Sequence, residues 1–202
     1  IVSSFRHVFF RGGKNVNRSH SCRTVLGLSL AVTLMVCGNC TKDDSKPDDN
    51  VFAVGVSVAD ISPGQEALAD NDIYMGAYGA PFTRGYAQGV HDSIYARAMA
   101  IGENSDGIIL SILDLPGMGN LYIREIQHQV ASKIGLPESR ILIGSTHSHS
   151  APDFQGLWGG IPEQYAQWVV STTADTMIKA WETRQPATIH VVEGEGPNRN
   201  RR

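Results

Sequence analysis

The sequence predicts an α/β fold in which helices flank a mixed sheet. Short apolar runs bounded by turn residues indicate strands, and longer stretches with apolar residues three or four positions apart indicate helices. The two kinds of segment alternate along the chain, which is typical of an α/β domain. The predicted strands cover residues 51–61, 94–101, 108–113, 141–145 and 187–192, and the predicted helices cover residues 120–134 and 162–183.

The first predicted strand is defined by alternation, because Val54, Val56 and Val58 fall on one side of an extended chain. The second and third strands are separated by residues 103–107, Glu-Asn-Ser-Asp-Gly, which are typical turn residues. Residues 62–90, between the first and second strands, are rich in Gly, Pro, Asp and Tyr and are predicted to form a long irregular loop. Loops of this length within a domain usually serve a function.

The first predicted helix carries an apolar stripe of Ile126, Val130 and Ile134, which are four positions apart. Asn120 is predicted to cap its amino terminus, since a side-chain oxygen there can accept from an otherwise unpaired backbone N–H. Gly135 is predicted to end the helix, because glycine adopts the left-handed conformation that terminates many helices. The strand at 141–145 follows directly.

The second predicted helix begins at Pro162-Glu163 and extends to about Thr183. Proline is favoured in the first turn of a helix, because its missing N–H would have no partner there. Tyr165, Trp168 and Val169 lie within this helix.

Composition limits the classes of function. The 202 residues suit one domain with appendages, and a net charge of −3 without a basic stripe gives no indication of nucleic-acid binding. The three cysteines all precede residue 41, so the predicted folded part can hold neither a cysteine-based zinc site nor a disulfide framework. A metal in that part would need His, carboxylate or Tyr ligands.

The amino-terminal region has the pattern of a signal peptide. Arg11, Lys14, Arg18 and Arg23 precede an apolar run at residues 25–36. This run of about a dozen residues is shorter than the roughly 20 that a transmembrane helix needs. A buried core helix is the alternative interpretation. The basic flank and the polar segment that follows favour export.

Cys40 and the charged residues after it resemble the start of a bacterial lipoprotein, with an acylated cysteine as the lipid anchor. Cys37 is a second candidate for acylation. We therefore expect a signal and lipoprotein region at residues 1–40 and a disordered tether at 41–50, since the tether has few apolar residues. Residues 51–202 would form the folded part, exported to the outer membrane or cell surface, with the periplasm or secretion as alternatives.

A pair of histidines follows the predicted strand 141–145, within the sequence Thr-His-Ser-His-Ser of residues 146–150. In an extended chain residues i and i+2 point to the same side, so His147 and His149 are expected to project into one space. The carboxyl end of a strand is where open α/β sheets place their ligands. The pair therefore forms a candidate half of a metal site, with Asp153 as a residue that could orient an imidazole.

The histidine motif resembles the Thr-His-Thr-His-Ser-Gly-Pro motif of the neutral, non-lysosomal ceramidases. Other segments resemble that family in the same order along the chain. They are residues 54–62 (its Gly-x-Ala-Asp-Ile-Thr strand), 75–78 (Met-Gly-Tyr), 89–98 (Gly-Ile-His-x-x-x-x-Ala-Arg-Ala), 113–118 (Asp-Leu-Gly-Met) and 198–201 (Asn-Arg-Ser). The resemblance implies that residues 51–202 are the amino-terminal part of a larger zinc-hydrolase domain.

The resemblance also implies an activity, namely zinc-dependent hydrolysis of the N-acyl amide of ceramide or a related lipid to a sphingoid base and a fatty acid. It implies that His147 is a Zn²⁺ ligand and that His149 lies beside the metal and contacts the substrate or transition state. Arg201 matches the arginine of Asn-Arg-Ser, which would stabilise negative charge on the reacting oxygen. His91 and Asp153 are expected to line the substrate site. The implied partners are a ceramide-like lipid and, through the lipid anchor, a membrane surface.

The chain also departs from the family pattern. Ala151 replaces a glycine, and Asp153-Phe154 stand where the family has Gly-Gly. The family's remaining zinc ligands, a His, a Glu and a Tyr, lie downstream of its Asn-Arg-Ser stretch. We therefore expect this chain to be an amino-terminal fragment that is inactive alone.

Two other classes of protein are compatible with parts of this pattern. The metallo-β-lactamase signature His-x-His-x-Asp-His also contains the histidine pair, but Ala151-Pro152 occupy the positions of its Asp-His. The non-enzymatic alternative is a surface lipoprotein of the same fold that binds lipid or glycan without turnover.

Overall fold

The computed structural model describes residues 3–12, 52–103 and 106–196. The strands are β1 (Ser3–Gly12), β2 (Ala53–Asp60), β3 (Tyr95–Glu103), β4 (Asp106–Leu113), β5 (Ile141–Ser145) and β6 (Gln185–Gly196). The α-helices are α1 (Gln65–Ala69), α2 (Asn120–Ile134) and α3 (Glu163–Glu182), and a 3₁₀ turn at Glu138–Arg140 precedes β5.

The six strands form one mixed sheet in the order β1-β6-β2-β3-β4-β5. Only β4 and β5 pair in parallel, joined through α2, and the other neighbours are antiparallel. The predicted α/β fold with a mixed sheet and flanking helices is therefore confirmed. Strand β1 has no counterpart among the predicted strands, because it lies within residues 1–40, which were predicted to be a signal and lipoprotein region.

The two long helices lie on one face of the sheet, and small residues let them approach closely. On this face β3 presents Ala96, Ala98 and Ala100, all buried. At Gly55 in β2 a Cβ atom would lie 1.9 Å from the carbonyl oxygen of Ala180 in α3. Close packing of this kind buries the inner face of α3 along nearly its whole length.

The opposite face of the sheet is apolar and exposed. Val56 and Val58 of β2 are 69% and 59% exposed, and Ile108 of β4 and Leu142 of β5 are also exposed. The predicted alternation in the first strand is thus correct, but the valine side faces away from the helices.

The structure confirms the predicted end of α2 but not its predicted amino-terminal cap. Gly135 adopts the left-handed conformation with φ 74° and ends α2, as predicted. Asn120, however, is the first residue of α2 rather than its cap. The capping position is Gly119, and no side chain hydrogen-bonds to the exposed N–H groups there.

Tyr165 ties α3 to the end of β2. Its hydroxyl donates to the carbonyl oxygen of Ile61 at 2.7 Å, and both residues are buried. Burial, with a smaller contribution from the charge of Asp60, raises the pKa of the Tyr165 hydroxyl well above its usual value. The buried phenol therefore stays protonated and keeps its role as a donor.

Several predictions lie outside the described residues. They concern the apolar run at 25–36, the tether, the lipid-anchor candidates Cys40 and Cys37, and Arg201. These stay predictions. Within the described part of the chain, no helix is both long enough and apolar enough to cross a bilayer.

Candidate active site

The two histidines of the motif lie at the sheet edge where the parallel strands β4 and β5 end. Strand β5 ends at Ser145, and the next residue, Thr146, still donates its N–H to the carbonyl oxygen of Leu113 at 2.9 Å. This bond holds the start of the histidine segment against the end of β4. The carboxyl ends of parallel strands are the usual location of α/β ligand sites.

The rings of His147 and His149 converge, as predicted, but not through an extended backbone. His147 has φ 62°, in the left-handed region that costs a non-glycine residue about 1 kcal/mol. The ring centroids are 4.7 Å apart with an interplanar angle of 77°, and the two Nε2 atoms are 3.3 Å apart. The turn at His147 therefore brings the side chains together where the strand has already ended.

His147 is oriented by a backbone carbonyl. Its Nδ1 lies 2.7 Å from the carbonyl oxygen of Pro116, which lies in the segment that follows β4. A carbonyl can only accept, so Nδ1 carries the proton and Nε2 is left with a free lone pair. Metal-binding histidines are typically held by this kind of bond. Sequence patterns could not reveal Pro116 as a site residue, since its contribution is a main-chain oxygen.

The histidine pair fits part of a zinc site. A zinc ion bound to the Nε2 of His147 would lie about 2.0–2.1 Å from that nitrogen. The Nε2 of His149, 3.3 Å from that of His147, would then lie beside the metal. Within residues 52–103 and 106–196, however, no cluster of three or more His, Cys, Asp or Glu side chains could hold a metal ion. The described residues therefore supply at most two of the three protein ligands that catalytic zinc normally has.

The irregular loop between β2 and β3 packs against the histidine segment. Arg84 donates from Nη1 to the carbonyl oxygen of Gly76 at 2.8 Å and also to the carbonyl oxygen of His149. The Tyr78 ring meets the His149 ring edge to face, with the centroids 4.4 Å apart. The length of this loop predicted a function for it, and Tyr78 lies in the segment that resembles Met-Gly-Tyr, but no sequence signal distinguished Arg84 from its neighbours.

Asp153 is buried, with 1% of its surface exposed, and its carboxylate accepts hydrogen bonds from its own loop. The donors are the backbone N–H groups of Gln155 at 3.1 Å, Trp158 at 2.5 Å and Gly160 at 3.1 Å. Among the described residues, its carboxylate therefore hydrogen-bonds to the backbone of residues 155–160 rather than to an imidazole. It also lines a cavity of about 850 Å³ beside the amino termini of α2 and α3.

A second cavity, of about 630 Å³, adjoins the histidine segment. Ser148 and Ser150, which flank His149, form part of its wall, together with Arg84. His91 lies on the same wall with a nearly fully exposed side chain, and its Nδ1 is 2.9 Å from Asp92. The predicted pocket residue His91 therefore shares a cavity with the histidine segment, whereas Asp153 lies on the other one.

Asp114 is a wall residue of this second cavity to which the sequence analysis gave no role. Its carboxylate accepts from the N–H of Tyr95 at 3.0 Å and pairs with Arg97 at 2.5 Å. It thereby joins the end of β4 to the start of β3 beside the cavity. The sequence did contain a signal for this residue, because Asp114 lies in the segment that resembles the Asp-Leu-Gly-Met of the neutral ceramidases.

Comparison with known proteins supports the fold. The chain is similar in structure to neutral ceramidase from Pseudomonas aeruginosa, with a TM-score of 0.58 and 22% identity over 69% of this chain and 23% of that one. It is also similar to a ceramidase described as complexed with C2, with a TM-score of 0.54 and 20% identity over 67% of this chain and 22% of that one.

The chain therefore has a ceramidase-like fold. It spans less than a quarter of the length of either of these structures. No protein-family model matches the sequence, and no curated protein matches it.

Proposed function

We propose that the protein is a zinc-dependent amidohydrolase that cleaves the N-acyl amide of ceramide or a related lipid. The observation that carries this proposal is the convergence of the His147 and His149 Nε2 atoms, 3.3 Å apart, at the sheet edge of a ceramidase-like fold. A bound zinc ion would lower the pKa of water towards about 7 and polarise the amide carbonyl.

The two histidines would have different roles in this reaction. His147 is suited to hold the metal through Nε2, because the Pro116 carbonyl keeps its proton on Nδ1. His149, beside it, is suited to donate a hydrogen bond to the amide oxygen as negative charge develops there. In the overall reaction the acyl carbon gains the oxygen of water, the carbon–nitrogen bond breaks, and the amine nitrogen gains a proton.

The cavity beside the histidines is suited to the polar part of such a substrate. Ser148, Ser150 and His91 line it and offer hydroxyl and imidazole groups to the hydroxyls of a sphingoid base. Arg201 is proposed to add positive charge at the reacting oxygen. The further zinc ligands are proposed to come from the rest of the protein.

The test compares zinc content with rate in the full protein, using a fluorescent N-acyl-sphingosine as substrate. We expect His147→Ala to lose both zinc and activity. We expect His149→Ala to keep most of its zinc and lose at least about 10²-fold in rate, as for removal of a group that stabilises the transition state. His128→Ala is the matched control, since His128 is an exposed histidine of α2.

Three outcomes would contradict the proposal in different ways. If both active-site variants stay active, the histidines are not part of a metal hydrolase. If His149→Ala loses zinc while His147→Ala retains it, the two roles are reversed. If the parent protein binds zinc and leaves N-acyl amides intact, the substrate assignment fails and a lipid- or glycan-binding lipoprotein becomes the better interpretation.

A further inference from the structure

Two side chains of the loop between β2 and β3 hold His149 from outside the histidine motif. Arg84 joins the carbonyl oxygens of Gly76 and His149 through one nitrogen, Nη1. Tyr78 meets the His149 ring edge to face at 4.4 Å, and the Arg84 guanidinium lies 5.7 Å from the Tyr78 ring centroid. We call Tyr78 and Arg84 together the clamp.

Burial of apolar surface does not explain why the Tyr78 ring of the clamp lies against His149. Tyr78 is 65% exposed, so the hydrophobic effect gives little reason for its ring to lie against His149. Its backbone and that of Ala77 both adopt the left-handed conformation, with φ 64° and 62°. Such conformations are unfavourable for residues with a Cβ atom and persist where surrounding contacts impose them, often at functional sites.

The segment that carries the clamp is held by the loop organised by Asp153. Trp158 donates from its indole nitrogen to the carbonyl oxygen of Gly79 at 3.1 Å and accepts from the N–H of Phe82 at 3.0 Å. Trp158 is itself held by the Asp153 carboxylate, through its own N–H at 2.5 Å. Asp153, Trp158 and the clamp therefore form one chain of contacts that ends at His149.

His149 needs support of this kind. It lies in a bend after β5, so no strand pairing fixes its backbone. Its Nδ1 is buried without a hydrogen-bond partner among the described residues. The Pro116 carbonyl orients the ring of His147, whereas the ring of His149 rests on Tyr78 and its main chain on Arg84.

We propose that Tyr78 and Arg84 are positioning residues that set the orientation of the His149 imidazole. No hydrogen bond or ring contact joins either of them to His147 in the described part of the chain, so their effect would pass through His149. The catalytic consequence rests on the proposed amidohydrolase function, but the geometric claim does not. A misplacement of about 1 Å at a catalytic group can cost about 10²-fold in rate.

The geometric claim is tested by NMR of the histidine rings in the 202-residue chain, with the signals assigned by histidine substitutions. Tyr78→Leu removes an aromatic ring 4.4 Å from that of His149, so the His149 ring-proton signals should shift. The signals of His91 and His128 should stay in place. Tyr86→Leu is the matched control, since Tyr86 is a second exposed tyrosine of the same loop.

The catalytic claim is tested in the full protein with Arg84→Ala. We expect kcat to fall about 10-fold to 10²-fold, with zinc content and melting temperature unchanged. Added guanidinium ion should restore part of the rate, because it can occupy the place of the missing side chain. Arg124→Ala, at an exposed arginine of α2, should leave the rate unchanged and give no response to guanidinium.

The outcomes separate the clamp from the proposed function. Unchanged His149 signals in both Tyr78→Leu and Arg84→Ala would overturn the clamp. A rate loss in Arg84→Ala that is matched by loss of zinc or a lower melting temperature would also overturn it, since it would indicate a structural role. A parent protein without activity on N-acyl amides would refute the proposed function, while the NMR result would still decide whether the clamp orients His149.

Discussion

Replacement of Asp153 should destabilise the loop that supports the candidate site. This carboxylate is 1% exposed and accepts from the N–H groups of Gln155, Trp158 and Gly160. In Asp153→Asn one side-chain oxygen can still serve Trp158 and Gly160, because both bind the same carboxylate oxygen. The new amide NH₂ then faces the N–H of Gln155, and two donors are opposed.

The expected loss follows from these three bonds. A hydrogen bond to a charged group contributes about 1.5–3 kcal/mol, and a buried donor without a partner costs about 1–3 kcal/mol. Asp153→Asn loses one such bond and the charge, so we expect a decrease of about 2–3 kcal/mol in the free energy of unfolding. Asp153→Ala leaves all three donors unpaired and should cost about 4 kcal/mol or more.

Urea unfolding followed by both far-UV circular dichroism and tryptophan fluorescence measures this loss. With a slope of about 2 kcal/mol/M, Asp153→Asn should lower the midpoint by roughly 1–1.5 M. An earlier fluorescence transition that disappears in Trp158→Phe would show that the Trp158 loop opens before the sheet, since Trp168 and Trp181 lie in α3. Asp175→Asn, at an exposed position of α3, is the control. If Asp153→Asn unfolds like this control by both signals, the assigned role of the carboxylate is wrong.

Two further predictions concern the packing of α3. Gly55→Ala would place a methyl group 1.9 Å from the Ala180 carbonyl oxygen, so we expect urea unfolding to show a loss of about 1–3 kcal/mol in the free energy of unfolding. Gly64→Ala is the control and should cause no such loss, because the space around Gly64 is open. Tyr165→Phe should cost about 1–3 kcal/mol near neutral pH, because the Ile61 oxygen loses its donor. Because the pKa of Tyr165 is raised in the folded protein, the unfolded chain loses the hydroxyl proton at a lower pH, about 10. The free energy of unfolding of the parent protein should therefore fall above about pH 10, and its difference from that of Tyr165→Phe should narrow. A difference that stays constant across that pH range would contradict the argument.

The sequence predicts the elements well because their signals are local. The α2 stripe, the Gly135 terminator and the alternation in β2 are each properties of a few neighbouring residues. Features that depend on distant partners were not predicted. They include the pairing of β1 with β6 and the exposure of the valine side of β2.

In the candidate site, too, local features were predicted from the sequence and features that depend on distant contacts were not. The convergence of His147 and His149 was predicted, but for an incorrect reason, since the left-handed conformation of His147 produces it. The carbonyl of Pro116 carries no residue-type signal. Arg84 and Tyr78 contact His149 across a large sequence separation. No local pattern could assign Arg84 to the site, and the segment that resembles Met-Gly-Tyr did not reveal that Tyr78 contacts His149.

The long separations within the site have a consequence for the order of folding. The hairpin of β3 and β4 pairs Glu103 with Asp106, so almost no chain has to be ordered to close it. Arg84 and His149 are 65 residues apart, and Gly79 and Trp158 are 79 apart. Closing such loops costs about 4 kcal/mol beyond a constant. The β3–β4 hairpin should therefore form before the histidine geometry, and on heating the site should open before this hairpin does.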